Sequence, residues 1–275
     1  MRSAKKTKRV ARLALPLAGA ATAVAMAAVA APAQAAPALP ALNPDPIPAT
    51  FDFSDCPALL PGYTNAGSVC FSTVVTSGKF QLGKFDQDIT SPIRMTFATQ
   101  YNPTERKNTP VFGQMRSEKM LVQPGIFGDP ILSAVYAKPE FAGVFELPPS
   151  TDYRIKLGLK IRLTNPFLGG KCLIGSDSNP IVLNLTTGTT SPPAGVEPLT
   201  GEAAQIVKVE LPMVVRSAKH VDNTFGVPGA QDCALDWGLV NAIVNSQAGV
   251  PSDPGENAMV FNEYIASKSY TALGS

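Results

Sequence analysis

The sequence predicts an all-β fold, an antiparallel two-sheet β-sandwich with one short helix near the C-terminal end, and three observations carry that prediction. From Tyr153 to Leu163 the chain alternates without a break. Tyr153, Ile155, Leu157, Leu159, Ile161 and Leu163 fall on one face, and Arg154, Lys156, Gly158, Lys160 and Arg162 on the other, which is the period of a half-buried strand. Eight further stretches read as strands separated by turn clusters such as Asn102-Pro103-Thr104 and Pro148-Pro149-Ser150. A helical stripe shows in one place only, about residues 233–247. One short helix among about nine strands is the pattern of a sandwich.

In chain order, the first element is not part of the fold. Arg2, Lys5, Lys6, Lys8, Arg9 and Arg12 precede the apolar run LALPLAGAATAVAMAAVA, and Ala33-Gln34-Ala35 supplies a small-residue cleavage pattern. Residues 1–35 therefore read as a secretory signal peptide cleaved near Ala35. No Arg-Arg pair is present, which favours the general secretion route. Residues 36–50, APALPALNPDPIPAT, read as a proline-rich disordered spacer. The β-sandwich domain is then expected over 51–275.

Its strands are expected at Val69–Thr76, Lys79–Phe85, Ile93–Tyr101, Val111–Leu121, Ala134–Tyr136, Tyr153–Leu163, Pro180–Thr186, Val207–Val215 and Met259–Tyr270. Pro212 in the eighth suggests an edge or a bulge, because proline cannot donate to a ladder. Gly188–Gln205 reads as a long surface loop within one domain rather than a linker between two, since only seventy residues follow it. For the helix, Asp232 is the expected cap and Leu235, Leu239, Val240, Ile243 and Val244 the apolar stripe. Asp236 suits the positive end, and Gly249 with Pro251 ends the run.

Composition narrows the function classes. With 45% apolar and 16% charged residues, the chain is suited to a folded core rather than to disorder or a collagen-like repeat. Beyond the signal segment no apolar run reaches the eighteen residues of a transmembrane helix. The formal charge of +2 belongs to that segment as well. Without its six basic residues, 17 remain against 21 acidic ones, a net charge of −4, so no nucleic-acid partner is implied.

All four cysteines, Cys56, Cys70, Cys172 and Cys233, lie beyond the signal segment. An even count in an exported chain reads as disulfides, with three pairings available. The pairing Cys56–Cys70 with Cys172–Cys233 is favoured, because the first closes a short loop bearing Pro and Gly. No Cys-x-x-Cys or Cys/His spacing supports zinc, and no metal or other cofactor is expected.

Candidate chemistry is sparse. His220 is the only histidine and no G-x-S-x-G elbow is present, so a serine-histidine triad has little to stand on. His220 is expected to be exposed beside a strand end, and Ser176 to be a turn serine. Asp52, Asp55, Asp86, Asp88, Asp177, Glu140 and Glu146 could supply the paired carboxylates of a glycosidase, with solvated turns as their plainer role. Trp237 is expected to pack on the sheet. The best candidate binding surface is the row Arg154, Lys156, Lys160 and Arg162. Its alternate residues lie about 7 Å apart, a spacing suited to an anionic cell-wall polymer, while lysines on an outer face also keep sheets from pairing.

The stretches FSDCPALLPGYTNAGSVC, LKIRLTNPFLGGKCLIGSDSNPIVLNLTTGTTSPP and VDNTFGVPGAQDCALDWGLVNAIVNSQAGVPSDPGENA resemble a family of exported actinobacterial proteins of unassigned activity. The likeness covers nearly all of 51–270, and the four cysteines fall inside it, as structural disulfides would. It implies no catalytic residue, cofactor or substrate. The expectation is thus a secreted protein, extracellular or associated with the cell wall, acting as a non-enzymatic structural or binding module. The alternatives are an extracellular carboxylate-dependent hydrolase and a protease inhibitor presenting the Gly188–Gln205 loop.

Overall fold

A computed structural model describes residues 43–122, 134–165, 168–234 and 238–273. The expected signal peptide, residues 36–42 of the expected spacer, and Leu235, Asp236 and Trp237 lie outside the described residues. The strands are β1 (Thr64–Leu82), β2 (Phe85–Asp88), β3 (Ile93–Asn102), β4 (Lys107–Arg116), β5 (Met120–Val122), β6 (Val135–Glu146), β7 (Ile155–Thr164), β8 (Leu173–Ile174), β9 (Ile181–Leu185), β10 (Glu202–Glu210), β11 (Met213–Asp222), β12 (Ala230–Gln231) and β13 (Ala258–Ser269); helix α1 (Leu239–Ala248) precedes β13. They form two sheets. The larger has the order β10-β11-β13-β1-β3-β4 with β2 also on β1, and the smaller β12-β8-β7-β6-β5 with β9 also on β7. Every pairing is antiparallel. The chain is an all-β two-sheet sandwich with one short helix.

The alternation of β7 does what its pattern predicts. Leu157, Leu159, Ile161 and Leu163 are buried and pack with Ile181, Leu183 and Leu185 of β9 and with Val75, Ile93, Met95 and Phe261 of the larger sheet. Each such side chain contributes about 1.5–3 kcal/mol by leaving water. Tyr153 does not join them. Its backbone is left-handed, with φ 45°, β7 begins only at Ile155, and the residue is 59% exposed.

Several boundaries differ from expectation for identifiable reasons. Val69–Thr76 and most of Lys79–Phe85 are one 19-residue strand, β1, with a register shift between Val75 and Ser77, while Phe85 opens β2 after a turn at Gly83 and Lys84. Gly78 makes this possible: at its φ of 140° a Cβ would lie 1.9 Å from the Val260 carbonyl oxygen. Val111–Leu121 divides into β4 and β5, which belong to different sheets. The strand expected at Ala134–Tyr136 runs on to Glu146 through Pro139. Because β5 pairs only with Val135–Ala137, β6 is an edge at Pro139, where the missing N–H costs nothing. Val207–Val215 is a hairpin, not a strand: Leu211-Pro212 forms the turn between β10 and β11. Val207 and Val209 are accordingly exposed.

The disulfides are Cys56–Cys70 and Cys172–Cys233. The first ties the segment before β1 to the outer face of the larger sheet, where Phe53 and Leu59 pack near Cys70, and Phe51 and Phe53 pack on Val215, Tyr264 and Ala266. The described part of the proline-rich stretch lies on this face too. Asn43 is buried and donates to Thr76 Oγ1 at 3.2 Å, and Tyr264 donates to the Asp45 carbonyl at 2.6 Å. The central strands are thereby covered on both sides. The second disulfide shifts the helix. With Cys233 held at Cys172, Asp232 and Ala234 are left-handed rather than helical, and α1 starts at Leu239 with Gly238, not Asp232, at its N-cap. Leu239 is exposed, whereas Val244 and Ala248 face the core, and Gly249 ends the helix. The Gly188–Gln205 stretch is fastened to the sandwich: Thr190 donates to Asn223 Oδ1 at 2.6 Å, and Asn223 Nδ2 donates to the Glu197 carbonyl at 2.9 Å.

Candidate functional site

The inner face of the larger sheet is not wholly roofed by the smaller one. Cross-strand register puts Phe97 of β3, Phe71 of β1 and Ser267 of β13 in one row, and Ile265 of β13 opposite Arg216 of β11 in the neighbouring one. Phe71 and Phe97 stack with ring centres 5.0 Å apart, and Phe145 of β6 backs Phe97 at 5.2 Å. Facing this floor is the segment that leads into β7, Leu147-Pro148-Pro149-Ser150 and Tyr153-Arg154-Ile155. Between them lies a groove of about 550 Å³, also lined by Val69, Ala204 and His220. That volume lies in the range of small-molecule sites, which are concave, largely apolar and set with a few polar groups.

The polar groups of the groove are all cationic or neutral; its lining includes no Asp or Glu. Arg216 donates from Nη1 to Ser267 Oγ at 3.2 Å and has no carboxylate partner among the described residues. Arg154 stands at the rim, 3.7 Å from Asp152. Pro148, Arg154 and Ile155 are shared with a second, polar concavity of about 310 Å³, lined by Lys156, Asn184, Thr186, Thr189, Thr190, Ser191 and Thr224.

At the inner end of the groove the structure corrects the reading of His220, which is buried at 1% exposure rather than exposed. Its Nδ1 contacts Glu263 Oε1 and its Nε2 the Tyr153 carbonyl, the latter at 2.8 Å. A carbonyl only accepts, and an ionised carboxylate only accepts, so both ring nitrogens donate when His220 is the imidazolium. Burial pushes its pKa down, but the Glu263 carboxylate and the two hydrogen bonds outweigh that and hold it above the ordinary histidine value. The pair is structural in position. It pins the left-handed Tyr153, and with it the groove wall, to the larger sheet.

The expected anion-binding row is found on the outer face of the smaller sheet, each cation beside a carboxylate. Lys156 bonds Glu146 at 2.9 Å, and Lys160 bonds Asp177 at 2.7 Å. Arg162 grips Glu140 with two hydrogen bonds, 2.8 and 2.9 Å, and donates to the Gly170 carbonyl at 3.1 Å. The Arg162 guanidinium holds Glu140 below the ordinary carboxylate range, against the effect of its burial. Arg154 alone of the four turns to the groove. The other candidate carboxylates are mostly engaged: Asp86 with Lys79 at 2.8 Å, Asp55 with Arg116 through two hydrogen bonds, and Asp52 as acceptor from the Ser54 amide. Ser176 closes a turn with Asn179. Among the described residues no cluster of three or more His, Cys, Asp or Glu could hold a metal.

The sequence reading missed Phe71, Phe97, Ile265, Arg216 and Glu263 as site residues. A signal for the last was present. Met259, Phe261, Glu263 and Ile265 share one face of an expected strand, so a carboxylate interrupts an apolar row and requires a buried partner. Comparison with protein-family models, curated proteins and solved structures finds nothing that matches this chain.

Proposed function

We propose that this chain is an exported binding module that works outside the cell or in its envelope and holds the apolar part of a ligand in the groove between Phe71, Phe97, Ile265 and the Leu147–Ile155 segment. The groove carries the reading, because it combines small-molecule size, an apolar floor and unopposed positive charge. Two disulfides are compatible with an oxidising compartment, and no described helix is long and apolar enough to cross a membrane. The residue pattern of a signal peptide and the resemblance to exported actinobacterial proteins point the same way. Hydrolysis would need two carboxylates across a cleft, and no observation favours that alternative over binding.

The test is a titration of the mature protein with the neutral fluorophore N-phenyl-1-naphthylamine. Saturable enhancement is expected, together with its loss in Ala204→Trp, which fills the groove from the half-buried lip, and its weakening in Phe71→Ala. Circular dichroism of both variants checks that they fold. No saturable binding by the wild type, or equal binding by wild type and Ala204→Trp, would overturn the proposal.

A further inference from the structure

The groove holds one feature that a site for neutral apolar molecules would not need. An arginine cannot shed its proton in a protein, so Arg216 carries its charge beside Phe71, Phe97 and Ile265 whatever the pH. Buried or half-buried charges are normally paired. The half-buried Arg162 has Glu140, and the buried His220 has Glu263. Arg216 is half-buried, its one side-chain hydrogen bond among the described residues runs to the neutral Ser267 hydroxyl, and its guanidinium has further N–H groups to offer. The position is fixed by register, with Arg216 opposite Ile265 and adjacent to the Ser267 row, so its charge belongs to the groove floor rather than to a flexible lip. The rim cation Arg154 has Asp152 beside it and opens on the polar concavity.

We propose that the ligand is an amphiphile whose apolar body lies on Phe71, Phe97 and Ile265 and whose single anionic group, a carboxylate, is received by the guanidinium of Arg216. This rests on the reading of the groove as the binding site and adds the charge and the anchoring residue. A guanidinium presents a planar fork of donors that matches the two oxygens of a carboxylate. In a groove with apolar walls such a contact is screened less than one on the open surface. Ser267 Oγ accepts from Arg216 at 3.2 Å and donates to the Val214 carbonyl at 3.3 Å, so it steadies the guanidinium and leaves the remaining N–H groups of Arg216 to receive the anion.

The experiment compares oleate with oleyl alcohol, the same chain without the charge, each displacing N-phenyl-1-naphthylamine from the wild type, Arg216→Gln, Arg216→Lys and Arg154→Gln. Glutamine at 216 keeps a donor for Ser267 and so leaves the sheet intact, which melting curves verify. A hydrogen bond to a charged group predicts that wild type prefers oleate by about 10–100-fold. Arg216→Gln is expected to abolish that preference, with oleate losing about 10-fold or more in affinity and oleyl alcohol losing less. Arg216→Lys should retain part of the preference, since a point charge replaces a fork. Equal affinities for the two probes in the wild type would overturn the proposal while leaving the groove as an apolar site. Loss of the preference in Arg154→Gln but not in Arg216→Gln would overturn the assignment of the anchor. If neither probe displaces the fluorophore and the fluorophore itself does not bind, the underlying reading of the groove fails as well.

Discussion

Opposite charges meet in two very different settings on either side of the β7 entrance, and the contrast is instructive. His220 and Glu263 meet at the inner end of the groove, each at 1% exposure. On the outer face of the same strand, Lys156, Lys160 and Arg162 meet Glu146, Asp177 and Glu140 at ordinary ion-pair distances but with solvent around them. Distance does not separate the two cases; water does. An exposed pair exchanges hydration for a screened attraction and typically contributes about 0–1 kcal/mol. A buried pair has lost hydration on both groups, so its net worth is small but the cost of leaving one group alone is large. The inner pair therefore commits the fold to a geometry, namely the pinned Tyr153 carbonyl and the groove wall, while the outer pairs mainly set the charge of a surface.

The largest effect that follows is on Glu263. Glu263→Ala leaves His220 buried without its counter-charge and should destabilise the protein by about 3–5 kcal/mol, read as a lower urea midpoint. Glu263→Gln should cost less, because the amide oxygen still accepts from Nδ1. A loss below about 1 kcal/mol for Glu263→Ala would mean that the inner pair behaves like the outer ones, and the comparison would collapse.

The next effect is on pH dependence. His220 has a folded pKa above its ordinary value near 6.5, the value of the unfolded chain. Its contribution is thus fully present below that pH and is lost as pH rises through the folded value. Urea midpoints should fall on that alkaline side in the wild type, and the fall should be smaller in His220→Gln. An identical pH profile in the two proteins would show that proton binding at His220 is not linked to folding. If the same titration also releases the groove wall, binding of N-phenyl-1-naphthylamine by the wild type should weaken over the same range.

These two settings were unequally legible in the sequence. The fold class was legible because alternation is a local property, and β7 shows it over five consecutive pairs of residues. The cationic row was legible for the same reason. Its partners were not, because Glu140 and Glu146 lie on β6 beyond a proline, and Asp177 in a turn after β8. Strand pairing joins them, and pairing is a non-local fact. Likewise His220 read as exposed because nothing near it in sequence is a partner, while Glu263 stands 43 residues away and is brought diagonally across from it by the β11–β13 ladder, which pairs His220 with Phe261 and Ala218 with Glu263. The groove was illegible for a further reason. It is made where the inner face of one sheet is left partly uncovered, and no single strand carries that information. The helix start shows the opposite failure, where a local capping pattern at Asp232 was overruled by a distant covalent constraint at Cys233.

Among the outer pairs, Arg162 and Glu140 form the most enclosed one, with side-chain exposures of 33% and 24%. Glu140→Gln should cost about 0.5–1 kcal/mol, more than a lysine pair but far less than Glu263→Ala. The sign with pH is opposite to that of His220. Glu140 has a lowered folded pKa, so its contribution is present above the ordinary glutamate value near 4.5 and is lost as pH falls through the folded value. A cost equal to that of Glu263→Ala would place this pair in the buried class despite its exposure.

The smallest expected effect is that of the double variant Lys156→Gln, Lys160→Gln. Both lysines stand on the outer face, so stability should change by no more than about 0.5 kcal/mol for each. Removing them also tests what the row does as a surface. If an anionic wall polymer were held by these lysines, the polymer would have to displace Glu146 and Asp177 from 2.9 and 2.7 Å contacts, and each contact regained would offset one given up. Electrostatic attraction at range would be weak too, since each cation has its counter-charge well inside the screening length of about 8 Å at physiological salt. Wild type and the double variant are therefore expected to sediment equally with purified cell walls at low and at moderate salt. A salt-sensitive loss of sedimentation in the variant alone would show that the carboxylates yield to a polymer, and that an ion-paired face can still serve as a binding surface.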